Sequence, residues 1–430
     1  MADPRPRPRF SDRLASLAVA LELGLALRVL AADVLEWFTR HKGVLCVFPD
    51  ALYYWLLSGK IRDGLPYEIV EWGDIPHFAL RTPGYPLFLA GCRILFGDRP
   101  IAARLIQAGL GALCAWLVYR LAAKMLGKPV RPRGWSIPLG AAFLTAIDPY
   151  FVATSVFLLS EALFVPLMLA SLWGLAVLWT PRDGEESGHS WICALGTGFA
   201  SGAAILVRPS WALFVPAMLL AWAVGAGRAR WKSTLRGSVL VTLGLVAVMA
   251  PWWIRNAQVY GRFVPTAIWM GASLYDGLNP HADGASDMRF LEEDGFWPLD
   301  EETQDALLRR RAFEFALENP GRAAWLALVK FGRYWSPWPN ADSFHQPVLA
   351  GLSALYSIPI LGLLAVGAWD RRRDLRSLVI LAGPIVYFCV LHMVFASSMR
   401  YRIPAAAPSM VLVALGLGRI LARATREGEA

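Results

Sequence analysis

The chain has 430 residues, of which 56% are hydrophobic and 17% are charged, and its formal net charge is +9. Because soluble domains carry about 25% charged residues, this composition excludes a soluble globular protein and predicts a polytopic α-helical membrane protein. The lysines and arginines lie in short segments between apolar runs, a pattern that reports membrane topology and argues against a nucleic-acid partner. The cysteines form no CxxC motif and no metal-ligand spacing, so we interpret them as small buried apolar residues.

The first segment, "MADPRPRPRFSDR", is basic and rich in proline, and a long apolar run follows it. The apolar run has no small-residue cleavage site. We therefore expect a cytoplasmic tail before a retained first span at about 14–35, rather than a cleaved signal peptide.

The later apolar runs are also long enough to cross a bilayer as helices. Together with the first run they predict an all-α bundle of about ten transmembrane helices, forming a single transmembrane domain over residues 1–425. The other predicted spans lie at about 101–123, 136–148, 157–179, 191–206, 210–226, 237–253, 347–369, 377–395 and 404–421.

Two long polar segments interrupt this series, at 36–99 between spans one and two and at 254–346 between spans seven and eight. The second contains "DEETQDALLRRRAFEFALENPGRAAWLALVKFGRYW", whose apolar spacing predicts two helices separated at "NPGR". No soluble domain is predicted beyond this segment.

Basic loops at 124–135, 227–236 and 370–376 fall on the same predicted side as the N-terminus. The positive-inside rule makes that side cytoplasmic. Both termini are then cytoplasmic, and the two long polar segments are extracytoplasmic. The alanine- and arginine-rich composition and the absence of an organelle signal favour a bacterial inner (plasma) membrane.

Seven charged residues from six separate segments fall on the predicted outer face, beside apolar runs. Charged residues within or next to a span are costly and usually mark a functional site. Guanidinium groups match the geometry of phosphate, and a carboxylate can act as a base. The pattern therefore predicts a phosphate-binding pocket with a base at the membrane surface, formed by Asp50, Arg81, Glu161, Arg208, Arg255, Arg400 and Arg402.

Each of these residues also has a simpler interpretation. Asp50 follows a proline and could cap an interfacial helix. Glu161 could pair with a polar group of a neighbouring span, and Arg81 could contact lipid headgroups. The other arginines could be interfacial anchors or flanking charges. The convergence of all seven on one face favours the functional interpretation.

Several motifs resemble those of GT-C integral-membrane glycosyltransferases. The resemblance is to the branch that contains the dolichyl-phosphate-mannose–protein mannosyltransferases and the lipid A aminoarabinose transferases, and it extends from about residue 46 to residue 408. In chain order the motifs are "FPDALYYWLLSGKIRDGLPY", "RTPGYPLFLAGCRILFGDRPIAARLIQAGLGAL", "DPYFVATSVFLLSEALF", "ILVRPSWALFVPA", "PWWIRNAQVYGRFVP", "SLYDGLNP" and "SSMRYRIPAAAP".

The resemblance implies a helical bundle whose outer loops form the active site. It implies a sugar donor on a polyprenyl phosphate and an acceptor hydroxyl on a lipid, a glycan or a protein. Asp50 corresponds to the general base and Glu161 to the second acid of the family. Arg81, Arg255 and Arg400 or Arg402 match the positions that contact the lipid phosphate, and we add Arg208 to this set. Candidate substrate-binding residues in or beside the motifs are Tyr53, Tyr54, Tyr85, Tyr275 and Asn279.

The chain departs from the mannosyltransferases in having Asp-Ala where they carry an Asp-Glu pair, and it lacks their inserted extracytoplasmic domain. Some relatives bind a divalent metal through an acid and a histidine, but the weak candidates Glu71, His77 and His281 lack a convincing ligand spacing. No Gly-rich loop points to a nucleotide cofactor. A transporter or lipid flippase, a non-catalytic assembly subunit and a lipid-linked glycan ligase are the alternatives to a glycosyltransferase.

Overall fold

A computed structural model describes residues 10–70, 75–126, 136–180, 190–340 and 346–427. These ranges are almost entirely helical, and the one β-bridge within them joins Ile69 to His77. The helices are α1 (Phe10–His41), α2 (Pro49–Arg62), α3 (Gly84–Phe96), α4 (Pro100–Met125), α5 (Ile137–Ile147), α6 (Pro149–Thr154), α7 (Glu161–Trp179), α8 (Ser190–Val207), α9 (Phe214–Ala226), α10 (Trp231–Tyr260), α11 (Met270–Gly277), α12 (Phe290–Glu293), α13 (Glu301–Glu318), α14 (Pro320–Trp335), α15 (Pro347–Asp370), α16 (Leu375–Ser377), α17 (Gly383–Val394), α18 (Met399–Ala406) and α19 (Met410–Glu427).

The prediction of a multi-pass all-helical membrane protein is confirmed. Within the described ranges seven helices are long and apolar enough to cross a membrane, and α18 with α19, bent by 79°, makes an eighth if it counts as one span. The seven are Leu14–His41, Pro100–Met125, Glu161–Trp179, Pro209–Ala226, Arg228–Tyr260, Pro347–Asp370 and Leu375–Val394.

The count of about ten spans is not established. Helices α5 and α8 coincide with predicted spans, but they are shorter than the other spanning helices. Helix α3 is also short and apolar, and it lies inside the segment 36–99 that the sequence analysis assigns to an outer loop. The limits of that loop therefore stay a prediction.

The predicted break at "NPGR" is present. Helix α13 ends at Glu318 and α14 begins at Pro320. The Asp300 side chain caps α13 by accepting hydrogen bonds from backbone N–H groups of its first turn. Proline is favourable at the start of α14 because the first N–H groups of a helix have no partner within it.

The two long polar segments contact each other. The Glu301 carboxylate accepts hydrogen bonds from the N–H groups of Phe78 (2.8 Å) and Ala79 (3.1 Å) and from the Tyr260 hydroxyl (2.6 Å). In return, the Ile268 N–H donates to the Ala79 carbonyl (2.9 Å). Segments 36–99 and 254–346 therefore pack against each other, and their extracytoplasmic position stays a prediction.

Helix α3 approaches α8 through Gly84, the first residue of α3. A Cβ added there would lie 2.6 Å from the carbonyl carbon of Leu206, whereas one added at Gly91 in the same helix would meet nothing within 4 Å. We expect Gly84→Ala to lower the unfolding free energy by about 1–3 kcal/mol, because backbone atoms must shift. Thermal unfolding of the full chain measures this. Gly91→Ala is the matched control, and its melting temperature should equal or exceed that of the wild type. Equal melting temperatures for the two variants would contradict the close approach.

Candidate active site

Asp50 lies in the first turn of α2. The N-cap of this helix is Phe48, which makes no side-chain capping bond, so Asp50 is not the cap residue that one interpretation of the sequence suggests. Its carboxylate instead contacts Arg81 Nη2 at 3.1 Å and Arg400 Nη2 at 3.8 Å. The Asp50 side chain is 38% exposed, so another group can approach it.

Glu161 begins α7 and is almost fully buried, with 2% of its side chain exposed. Its Oε1 atom lies 3.1 Å from Arg208 Nη1 and 3.0 Å from Arg400 Nε. Arg400 therefore contacts both carboxylates, since it also reaches Asp50. A buried carboxylate needs such partners, because an unpaired charge in this position is very costly. These five residues from five segments are named the charged cluster: Asp50, Arg81, Glu161, Arg208 and Arg400.

Aromatic rings line the charged cluster. The Arg81 guanidinium lies 5.6 Å from the Tyr54 ring centre, and that of Arg400 lies 5.3 Å from the Phe48 ring centre. These distances suit cation–π attraction. Burial raises the pKa of Tyr54, so its hydroxyl keeps its proton and can donate a hydrogen bond at neutral pH.

Two predicted phosphate-binding arginines lie outside the charged cluster. Arg255 donates to the carbonyl oxygens of Phe78 (2.7 Å) and Tyr67 (2.8 Å), and so holds the segment that carries Arg81. Arg402 donates to the Tyr334 carbonyl (2.9 Å). Within the described part of the chain, neither forms an ion pair with Asp50 or Glu161.

The candidate substrate-binding residues are divided between the cluster and the protein interior. Tyr54 lies at the cluster, with its ring edge-on to that of Tyr85. Tyr85 is fully buried and its hydroxyl accepts from Gln107 Nε2 (2.8 Å). Tyr53 packs in a small apolar group next to α2.

Tyr275 and Asn279 lie in the segment 254–346. Tyr275 belongs to the apolar core of this segment, where its ring packs edge-on against Phe290. The Asn279 amide donates to the Tyr275 carbonyl (2.7 Å) and accepts from the His281 N–H (2.8 Å). Both residues thus have local structural contacts.

Of the weak metal candidates, the structure describes His77 and His281. His77 is buried beside Ile69, whereas His281 is exposed. Glu71 lies outside the described residues. Across the ranges that the structure describes, no group of three or more His, Cys, Asp or Glu residues could hold a metal ion.

Lys330 supports the site, although it is not among the site residues predicted from the sequence. Its buried ammonium donates to the carbonyls of Gly277 (2.7 Å) and Val394 (2.6 Å), and its own carbonyl accepts from Ser397 Oγ (2.9 Å). Burial lowers the pKa of Lys330 to about 8. These bonds hold the segment just before Arg400. The sequence feature that could have identified Lys330 is its position as a lone lysine within the apolar run "AAWLALVKFG".

Comparison with known proteins gives one family match. Residues 80–254, less than half of the chain, match the family model described as dolichyl-phosphate-mannose-protein mannosyltransferase. The matched region contains three residues of the charged cluster: Arg81, Glu161 and Arg208. No protein in the search of curated proteins matches the chain.

Solved structures give similarity over nearly the whole chain. The archaeal oligosaccharyltransferase AglB from Archaeoglobus fulgidus, in complex with an inhibitory peptide and a dolichol-phosphate, aligns with a TM-score of 0.56 and 17% identity over 96% of this chain and 51% of that one. Its apo form aligns with a TM-score of 0.55 and 16% identity over 97% and 52%. ArnT from Cupriavidus metallidurans bound to undecaprenyl phosphate aligns with a TM-score of 0.45 and 14% identity over 94% and 77%.

This chain spans about half the length of the archaeal oligosaccharyltransferase structures. At 16–17% identity, the similarity to them establishes the architecture of the bundle and does not extend to substrates. The described helices of this chain therefore share the fold of the archaeal oligosaccharyltransferase AglB.

Proposed function

We propose that the chain is a membrane glycosyltransferase that moves a sugar from a polyprenyl-phosphate donor to an acceptor hydroxyl on the extracytoplasmic face. One observation carries the proposal: the Arg400 guanidinium lies 3.8 Å from the Asp50 carboxylate and 3.0 Å from that of Glu161. An exposed carboxylate and a buried one thus share a cationic site at the surface of a GT-C bundle.

The arginines of the charged cluster act on the leaving group. Breaking the bond between the anomeric carbon and the phosphate oxygen leaves negative charge on the polyprenyl phosphate. The side chains of Arg81 and Arg400 are 17% and 34% exposed, so both can direct some of their N–H groups toward a phosphate. Fixed guanidinium groups stabilise the developing charge more than the intact ester, and so lower the barrier.

Asp50 is the general base. The acceptor oxygen bonds to the anomeric carbon on the face opposite the phosphate, and its proton passes to the Asp50 carboxylate. A single displacement of this kind inverts the anomeric centre. Glu161 is buried and engaged by two guanidinium groups, so it positions Arg208 and Arg400 and takes no proton itself.

Arg81→Met is expected to raise the KM for the donor at least about tenfold, because a charge-assisted hydrogen bond contributes about 1.5–3 kcal/mol. Arg81→Lys should recover part of this loss, since lysine keeps the charge but lacks the planar fork. Initial rates against donor concentration measure both variants. Arg62→Met is the control, since Arg62 is a partly exposed ion-paired arginine at the end of α2. An unchanged donor KM in Arg81→Met would contradict the phosphate role.

The donor class is tested with the purified chain in lipid nanodiscs. Polyprenyl-phosphate monosaccharides, a polyprenyl-diphosphate oligosaccharide and nucleotide sugars are supplied separately, and release of the lipid phosphate or the nucleotide is measured. We expect turnover with a polyprenyl-phosphate monosaccharide. Turnover of the diphosphate oligosaccharide alone would indicate a glycan ligase. Movement of intact lipid across the bilayer without release would indicate a flippase.

A further inference from the structure

Arg402 faces a second cavity, on the side of α18 away from the charged cluster. Residues two apart on an α-helix point about 200° apart, so Arg400 and Arg402 lie on opposite faces of this short helix. The cavity has a volume of about 40 Å³. Its polar lining comes from Arg402, Asp148, Tyr150, Tyr356, Ser357 and Ser409.

The Arg402 guanidinium is buried without an opposite charge against it. The residue is 6% exposed, its side chain donates to the Tyr334 carbonyl, and it lies 5.9 Å from the Trp335 ring centre. Among the residues that the structure describes, no carboxylate forms an ion pair with it. Burial of a charge in this state is costly unless a further partner is present.

Asp148, the acid of the cavity, interacts with the charge of Arg402 but forms no ion-pair contact or hydrogen bond with it among the described residues. Its carboxylate accepts hydrogen bonds from the N–H groups of Tyr150 and Phe151 (both 2.9 Å) and from the Tyr356 hydroxyl (2.7 Å). A second fully buried arginine, Arg28, also lies close enough to Asp148 to interact with its charge. Two buried guanidinium groups therefore share one carboxylate, and the region has an excess positive charge.

The remaining walls of the cavity are apolar, and one of them belongs to α15, a helix at the edge of the bundle. Ile360 and Leu364 of α15 form one wall, and Val413 of α19 forms another. Helix α15 exposes Leu352 and Leu355 on its outer surface, as a lipid-facing helix does. The cavity thus joins a cationic end to apolar walls next to the bilayer.

We propose that Arg402 binds the phosphate group of a second membrane lipid, separate from the donor phosphate at the charged cluster. The cavity exceeds the 10–15 Å³ or so that one water needs, so phosphate oxygens can enter beside the guanidinium. The Ser357 hydroxyl lies in the same lining, and the lipid chains continue along the apolar wall of α15. The phosphate belongs to a polyprenyl phosphate or to an anionic phospholipid, two sources with the same recognition chemistry.

Native mass spectrometry of the full chain in a neutral detergent tests the site. Undecaprenyl phosphate, phosphatidylglycerol and phosphatidylcholine are titrated separately into wild type, Arg402→Met and Arg402→Lys. We expect Arg402→Met to weaken one bound equivalent about ten- to hundredfold and Arg402→Lys to weaken it less. Loss with undecaprenyl phosphate alone assigns the site to a polyprenyl phosphate, and loss with phosphatidylglycerol assigns it to phospholipid. Phosphatidylcholine, which has no net charge, should show no Arg402-dependent equivalent.

Two further variants keep the test decisive. Ile360→Trp narrows the cavity and retains Arg402, so it should weaken the same equivalent even if Arg402→Met folds poorly. Arg262→Met removes an exposed, ion-paired arginine and should change nothing. The proposal is overturned if Arg402→Met and Ile360→Trp bind every lipid as wild type does, or if Arg262→Met produces the same loss. Because binding is measured without a sugar donor, the outcome does not depend on the proposed transferase activity.

Discussion

Asp50→Asn is expected to lower the rate of sugar transfer about 10²–10⁴-fold, the range that a general base contributes. Asparagine has nearly the same size as aspartate but cannot accept the acceptor's proton. Its amide can still occupy the first turn of α2, and the Asp50 side chain is 38% exposed, so folding should be retained. Initial rates at saturating donor measure the effect, and the KM for the donor should change far less than kcat.

A matched acid at the other end of α2 provides the control. Asp63 is the C-cap residue of that helix, it is exposed, and it pairs with Arg62 at 2.7 Å. Asp63→Asn removes the same charge from the same helix, away from the charged cluster, and should transfer sugar at the wild-type rate. If Asp50→Asn kept wild-type turnover, Asp50 would not be the base.

The helices and much of the charged cluster follow from the sequence, because membrane proteins leave few alternatives. An apolar run of about 20 residues must be helical in a bilayer, since every backbone polar group needs a partner within it. A charge at the end of such a run must find a counter-charge or reach water. This reasoning applies to Glu161, which the structure pairs with Arg208 and Arg400.

The separation of Arg400 from Arg402 is not predictable in the same way. Both belong to "SSMRYRIPAAAP", and nothing in their spacing says which one faces Asp50. The answer depends on the rotation of α18, an eight-residue helix joined to α19 by a 79° bend. Pro408 lies in the break between the two helices and favours the bend, but it does not fix the rotation of α18. The role of Arg255 is also not predictable from the sequence, because its partners in segment 36–99 are backbone carbonyls, which every residue type carries.

The number of membrane spans depends on three short helices. Helices α3, α5 and α8 are apolar but short, and their apolar parts have 10–17 residues. Length alone cannot say whether such a helix crosses the membrane, lies in the interface or forms half of a span. Arg28 illustrates the consequence, because this buried residue of α1 donates to the Ala146 carbonyl (2.6 Å) near the C-terminal end of α5. A side chain from one helix thus satisfies the end of another inside the bundle.

Glu161→Gln is expected to have the largest effect on stability, lowering the unfolding free energy by about 3–5 kcal/mol. Removing one partner of a buried ion pair leaves the other charge uncompensated, and here Arg208 loses its carboxylate while Arg400 keeps only the more distant Asp50. Sugar transfer should fall as well, since Arg400 would no longer be held beside Asp50. Thermal unfolding of the full chain measures the loss of stability.

The control for Glu161→Gln is Glu302→Gln, which breaks the exposed pair with Arg262 (2.6 Å) and should cost about 1 kcal/mol or less. The double variant Glu161→Gln/Arg208→Gln should be less destabilised than the sum of its single variants, because the second change removes a charge that the first has already left unpaired. Equal melting shifts for Glu161→Gln and Glu302→Gln would contradict this account. Glu161 would then contribute no more to stability than an exposed charge does. A residue other than Glu161 would have to hold Arg400 beside Asp50.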